Sequence, residues 1–172
     1  MALMINDESA DAFNSDELEV WSAVATLLEW LPAALDAQMQ GDSGISHFEF
    51  GILFALSEAE GKSLRMSELA SYANSTLSRL SRAVARLERK LWVRRATDPS
   101  DGRITIATLT DSGQGAVSAA APGHVALVRR LVFDSLTRTQ AHQLCDSSRR
   151  ITAAIRGDGD WRSVESTSEG RD

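Results

Sequence analysis

The sequence predicts a mainly α-helical fold with one short three-stranded sheet, and three observations carry that prediction. Apolar residues recur at helical spacing through most of the chain between about Glu17 and Ile155. The segment SELASYANSTLSRLSRAVARLE reads as a short helix, a tight turn and a longer helix, that is, a helix-turn-helix. Directly after it, WVRRA, the turn TDPSDGR and the alternating run ITIATLT read as a β-hairpin, with Leu64–Met66 as a brief third strand to pair with it. A helix with a basic outer face, followed at once by a hairpin with an arginine near its tip, has the form of a grip on duplex DNA.

The longer helix divides into two stripes. At about 100° per residue, Leu77, Leu80, Val84, Leu87 and Leu91 share one side, and Arg79, Arg82 and Arg86 share another. Thr76 stands where an N-cap belongs, its hydroxyl free to accept from a first-turn amide. Upstream, Ser67 is placed to cap the short helix, and Asn74 tolerates the left-handed backbone of a sharp turn. The second helix of such a motif enters the major groove N-terminus first. Thr76, Ser78, Arg79 and Arg82 are then expected to face base edges or flanking phosphates, and Arg86 a backbone phosphate.

In the hairpin, Asp98-Pro99 and Asp101-Gly102 punctuate the turn. Ile104 and Ile106 alternate with Thr105, the pattern of a half-buried strand. Arg103 follows Asp101 by two residues, a spacing at which the carboxylate can fix the guanidinium. A narrow minor groove attracts an arginine so presented.

The stretch RMSELASYANSTLSRLSRAVARLERKLWVRRATDPSDGRITIATLTDSG resembles the winged helix-turn-helix core of the MarR family of bacterial transcription regulators. Its most specific piece, DPSDGRITIATLTDSG, matches the family's wing: Asp-x-Arg, a strand, then Leu-Thr. The resemblance implies that Thr76, Ser78, Arg79, Ser81 and Arg82 are recognition-helix contacts. It also implies that Arg103 enters the minor groove, oriented by Asp101. It extends more weakly from about Leu18 to about Ile155. Asn74 and Leu91 depart from the pattern, standing where the family often places glycine.

Charge is unevenly spread. The 172-residue chain carries −6 overall, yet eight basic and three acidic residues lie between Arg79 and Arg103, a local +5 against −11 for the rest. A basic patch on an acidic body suits one DNA-facing surface. No run approaches the roughly 20 apolar residues of a bilayer span, and no leader opens the chain, so a cytoplasmic protein without membrane contact is expected. Cys145 is the single cysteine and reads as a small buried residue, with Arg149 one turn away keeping a thiol-based redox sensor as an alternative. No phosphate loop, paired metal ligands or activated nucleophile is visible. His47, His124 and His142 fall on three separate helices, so neither catalysis, a metal nor a cofactor is expected.

The outer segments read as the mounting. Residues 1–16 and 157–172 are expected to be disordered, with Trp161 the one tail residue able to dock. Residues 17–156 form a single domain: helices in 17–45 and 111–156 dimerise, and 46–110 form the winged helix-turn-helix. In the first helix Trp21, Val24, Leu28, Leu31 and Leu35 recur at steps of three and four, broadened by Leu27 and Trp30, with Pro32 expected to bend or divide it. A second helix, from about His47 to Ala59, is expected to bury Phe50, Leu53, Phe54 and Leu56. Asp111 opens a long helix containing Pro122. Thr137 and Gln140 form a capping box for the last helix, whose Ala141, Leu144, Ile151 and Ile155 share a face. Long apolar helices at both ends call for a twofold partner, which places two recognition helices on an inverted-repeat operator. The resemblance further implies repression, relieved by a small aromatic or phenolic effector, with Trp30, His47, Phe50 and Phe54 near the place where its pocket opens. The competing reading is a winged helix that binds an acidic protein.

Overall fold

Side-chain caps mark where the helices begin. The computed structural model describes residues 12–157. Asn14 and Glu17 cap each other's amides at 2.9 and 3.0 Å and open α1 (Ser15–Ser43). Ser46 and Glu49 do the same for α2 (His47–Glu58). A single 3-10 turn leads to β1 (Ser63–Arg65) and α3 (Met66–Tyr72). Ser67 does not cap α3; it lies inside the helix, and the Glu68 carboxylate accepts the Arg65 amide instead, at 3.0 Å. Thr76 caps α4 (Leu77–Arg89), accepting from the Arg79 amide at 3.3 Å. After β2 (Val93–Thr97) and β3 (Thr105–Leu109), Thr110 caps α5 (Asp111–Leu131). The capping box of Thr137 and Gln140 opens α6 (Arg138–Arg156) as expected. Neither Pro32 nor Pro122 divides its helix. Residues 1–11 and 158–172, Trp161 among them, lie outside the described residues. Ser15 and Asp16, expected in a disordered segment, belong to the first turn of α1.

The sheet is antiparallel in the order β1-β3-β2, with Leu64 opposite Ala107 and Arg95 opposite Ala107 on the other side. Its core-facing residues are Val93, Ala107 and Leu109; Ile104 and Ile106 are only half-buried. The period of two was legible, but the buried face is the one carrying the smaller Ala107, because β3 packs closely on α2. The core lies where α2, α3, α4 and the sheet meet, around Ile52, Leu53, Leu56, Leu69, Leu80, Val84 and Leu87.

Several apolar positions expected inside are outside. Leu77 and Leu91, the two ends of the α4 stripe, are 54% and 74% exposed, and Phe54 is exposed on α2. In α1 only Leu35 and Met39 are buried, while Trp21, Leu27, Leu28 and Trp30 face out. No residue of α6 is buried: Leu144, Ile151 and Ile155 are exposed, and so is Cys145, contrary to its expected burial. The N-terminal half of α1 and all of α6 thus present apolar faces that the described residues do not cover. Contrary to the sequence expectation, α1 is long and apolar enough to cross a bilayer by length and composition. Its C-terminal part packs on α2 and α5.

Three residues other than glycine are left-handed, Lys62, Asn74 and Leu91, and the last two close helices. α3 closes with Asn74 at φ 42°, the Ser75 amide reaching back to the Ala70 carbonyl at 2.9 Å, so the expectation for Asn74 holds. α4 closes the same way with Leu91 at φ 62°: the Leu91 amide donates to Glu88 O at 2.8 Å and the Trp92 amide to Leu87 O at 3.0 Å. This is the Schellman arrangement, whose left-handed position favours glycine because a Cβ there crowds the backbone. Leu91 gains little packing in return. Leu91→Gly is therefore expected to raise stability by about 0.5–1 kcal/mol, net of glycine's greater freedom in the unfolded chain. A shift of the denaturant midpoint to higher concentration checks it; a lower midpoint contradicts the strain.

Candidate nucleic-acid interface

The α3–α4 turn exposes the start of α4. Thr76, Ser78, Arg79, Arg82 and Arg86 are all exposed, as expected for a recognition surface, while Ser81 is half-buried. Their side chains are not equally free. The Arg79 guanidinium lies over the Phe48 ring, 4.5 Å from its centroid. Arg86 donates through Nε to Glu49 Oε1 at 2.6 Å. Ser81 Oγ accepts from Arg95 at 3.1 Å, and Arg95 also forks onto Glu88. Among the described residues Arg82 makes no hydrogen bond or ion pair. So Ser78 and Arg82 face outward unengaged, Thr76 caps the helix, Arg79 is steered by an aromatic ring, and Arg86 ties α4 to α2.

Glu49 explains that tie. It is buried, its Oε2 accepts the Ser46 amide at 2.9 Å, and its Oε1 receives Arg86. Burial pushes its carboxyl up, but the Ser46 amide and the Arg86 guanidinium outweigh burial and hold it below the ordinary value. One carboxylate therefore caps α2 and sets the lateral position of α4. The Glu88 carboxyl is likewise lowered, chiefly by its hydrogen bond with Arg95. That contact binds the C-terminal half of α4 to strand β2. Neither Glu49 nor Arg95 was singled out from sequence. The Ser46-x-x-Glu49 capping pattern was the available signal for the first; the second pairs across 7 residues of chain and a turn and had none.

The hairpin tip is built from its own side chains. Asp98 accepts the Ser100 amide and hydroxyl at 2.8 and 2.6 Å. Asp101 accepts from the Arg103 amide, Nε and a terminal nitrogen at 3.0, 3.1 and 3.2 Å. Arg103 itself is 91% exposed, so the carboxylate fixes its direction without hiding it. The Asp101 carboxyl is held below its ordinary value, first by the Arg103 side chain. Arg65, exposed on β1 opposite Ile106, adds positive potential beside Asp98 and Asp101, a placement that follows from the sheet register.

Between α1, the start of α2 and α4 lies an open cleft of about 740 Å³. Pro32, Asp36, His47 and Phe48 form one side, and Arg79, Arg82 and Arg86 the other. Of the four residues expected near an effector pocket, only His47 lines it. Phe50 belongs to the core, Phe54 is exposed further along α2, and Trp30 is 74% exposed on α1. Phe50 and Phe54 stay together, with ring centroids 6.2 Å apart, but neither lines the cleft.

A MarR family model matches residues 43–104, from the end of α1 to Ile104. The structure is similar to that of Sco3205, a MarR family transcriptional regulator from Streptomyces coelicolor solved in complex with DNA. The two are 41% identical, with 87% of this chain and 94% of that chain covered and a TM-score of 0.83. This chain belongs to the MarR family. AbsC, another S. coelicolor MarR family regulator, is 33% identical over 84% of this chain and 97% of its own, with a TM-score of 0.80. BldR from Sulfolobus solfataricus is 25% identical over 81% and 96%, at 0.71. No curated protein matches the chain. The MarR family consists of transcriptional regulators, and the chain is placed among them rather than among enzymes.

In this MarR protein the histidines are less scattered than their helices suggested. His47 of α2 and His124 of α5 meet with ring centroids 5.4 Å apart, and Phe50 lies 5.1 Å from His124. His142 is exposed on α6, and no cluster of three metal-ligating residues exists among the described residues. Burial lowers both members of the pair. Asp36 opposes this for His47, and the charge of His47 adds to it for His124. The folded state thus favours neutral rings, and the unfolded chain takes up protons first as pH falls below the ordinary value of 6.5. Stability is expected to be full above about pH 6.5 and to decline below it. Thermal midpoints between pH 7.5 and 5.5 check this, and His124→Gln should flatten the decline.

Proposed function

We propose that this protein is a sequence-specific duplex-DNA-binding transcriptional regulator that acts in the cytoplasm as a homodimer on an inverted-repeat operator. The observation that carries the reading is the exposure of polar and cationic side chains on two successive elements, α4 and the hairpin. The start of α4 offers Thr76, Ser78, Arg79 and Arg82, and the hairpin holds Arg103 exposed on Asp101. Ser81 and Arg86 stand on the same helix and take part through their anchors on Arg95 and Glu49. Similarity to a relative solved with DNA supports the reading. Residues 46–110 serve as the reading lobe. Residues 17–45 and 111–156 serve as the dimerising part, which gives the uncovered faces of α1 and α6 a partner of the same kind. Selection of bound fragments from genomic DNA tests this directly: recovered sites should share one motif with twofold symmetry. Recovery of random sequence would favour the reading in which the arginine face meets an acidic protein. The dimer has its own check, since material running as a stable monomer on a sizing column removes it.

The cleft suits a small aromatic or phenolic effector, and its three arginines favour one carrying negative charge. Because Arg79, Arg82 and Arg86 also belong to the reading helix, a ligand engaging them would compete with DNA for the same groups. Repression relieved by such a ligand follows.

A further inference from the structure

The residue that opens α4 is leucine, and the fold does not use it. Leu77 follows the cap Thr76 and was expected to share the buried stripe of Leu80, Val84 and Leu87. Those three are fully buried, while Leu77 is 54% exposed. Thr76, Ser78 and Arg79 beside it are exposed too, and Leu77 is the single large apolar side chain on the outer surface of α4. An isobutyl group held in water at the leading end of a groove-entering helix has one apolar partner there. In the major groove every base edge presents hydrogen-bonding atoms, and thymine alone adds a methyl group.

We infer that Leu77 reads the C5 methyl of a thymine in each half-site, and so acts as a specificity-determining residue. The inference rests on the DNA-reading function proposed above and goes beyond it. The polar side chains around Leu77 satisfy the donors and acceptors of the neighbouring bases. Leu77 then excludes water from the methyl, which a cytosine at that position lacks.

Uracil differs from thymine by that methyl alone, which supplies the test. Duplexes carrying a selected site are made with each thymine replaced in turn by deoxyuridine, symmetrically in both half-sites. Binding is then measured for the wild-type dimer, Leu77→Ala and Leu77→Met. At one symmetric position, wild type should bind the deoxyuridine duplex about fifteenfold more weakly, from about fourfold for each of the two methyls. Leu77→Ala should bind both duplexes alike, and Leu77→Met should keep most of the preference. Salt dependence should not change in either variant, since Leu77 carries no charge. Insensitivity of wild type to deoxyuridine at every position overturns the inference, as does Leu77→Ala retaining the full ratio. Failure of wild type to bind any duplex is a different outcome: it removes the DNA-reading function itself and this inference with it.

Discussion

Replacing Gly113 with alanine is expected to lower stability by about 3 kcal/mol or more, the upper range for overpacking a tight site. Gly113 lies in the first turn of α5, directly behind the wing. A Cβ there would sit 2.1 Å from the Trp92 carbonyl oxygen and 2.8 Å from a Leu109 methyl. The carbonyl cannot step aside cheaply, because it accepts the Thr110 amide at 3.0 Å and so joins the end of β3 to the start of β2. Thr110 in turn caps α5 and donates its hydroxyl to Leu91 O at 2.7 Å. One added methyl group therefore pushes on the junction of recognition helix, wing and α5 together. Gly115, in the same helix, has nothing within 4 Å of its Cβ position. Gly115→Ala should instead stabilise by up to about 1 kcal/mol through helix propensity. Denaturant unfolding of the two variants separates crowding from propensity, and equal effects would contradict the close approach at Gly113.

Arg103→Ala should weaken specific DNA binding by about tenfold to a hundredfold for each half-site, the range for losing one well-placed groove contact. It should leave folding and dimerisation unchanged. Its side chain is exposed and, among the described residues, hydrogen-bonds only to Asp101, so the folded protein loses almost nothing. Asp101→Ala should give a smaller loss, because the guanidinium remains but is no longer aimed. Arg103→Lys should restore only part of the affinity, since an ammonium lacks the planar fork that matches both Asp101 oxygens. Equal affinity of wild type and Arg103→Ala for a selected site would take the wing out of DNA recognition.

The local chemistry of the motif is legible in the sequence. Thr76, Asn74, the Thr137–Gln140 box and the Asp101–Arg103 pair each depend on neighbours within four residues, and each is formed. What could not be read depends on distant partners. The arginine stripe looked uniform from helical spacing, yet Phe48 and Glu49 on α2 engage two of its three members. Leu77 and Leu91 fit the apolar stripe by angle but lie beyond the ends of what α4 covers. Phe50 and Phe54 share a helix face in projection, while only Phe50 reaches the core. Cys145 looked buried because α6 is amphipathic, but its apolar face has no cover among the described residues.

The most direct measurement is the affinity of the purified protein for a duplex carrying its selected site, followed across a salt series. Several guanidinium–phosphate contacts from two subunits should make the logarithm of the affinity fall linearly and steeply with the logarithm of salt concentration. The slope should correspond to at least about six released counterions. Arg82→Ala should reduce that slope by about two, one for each half-site. A flat salt dependence, or no binding even in dilute buffer, would contradict a function built on this arginine surface.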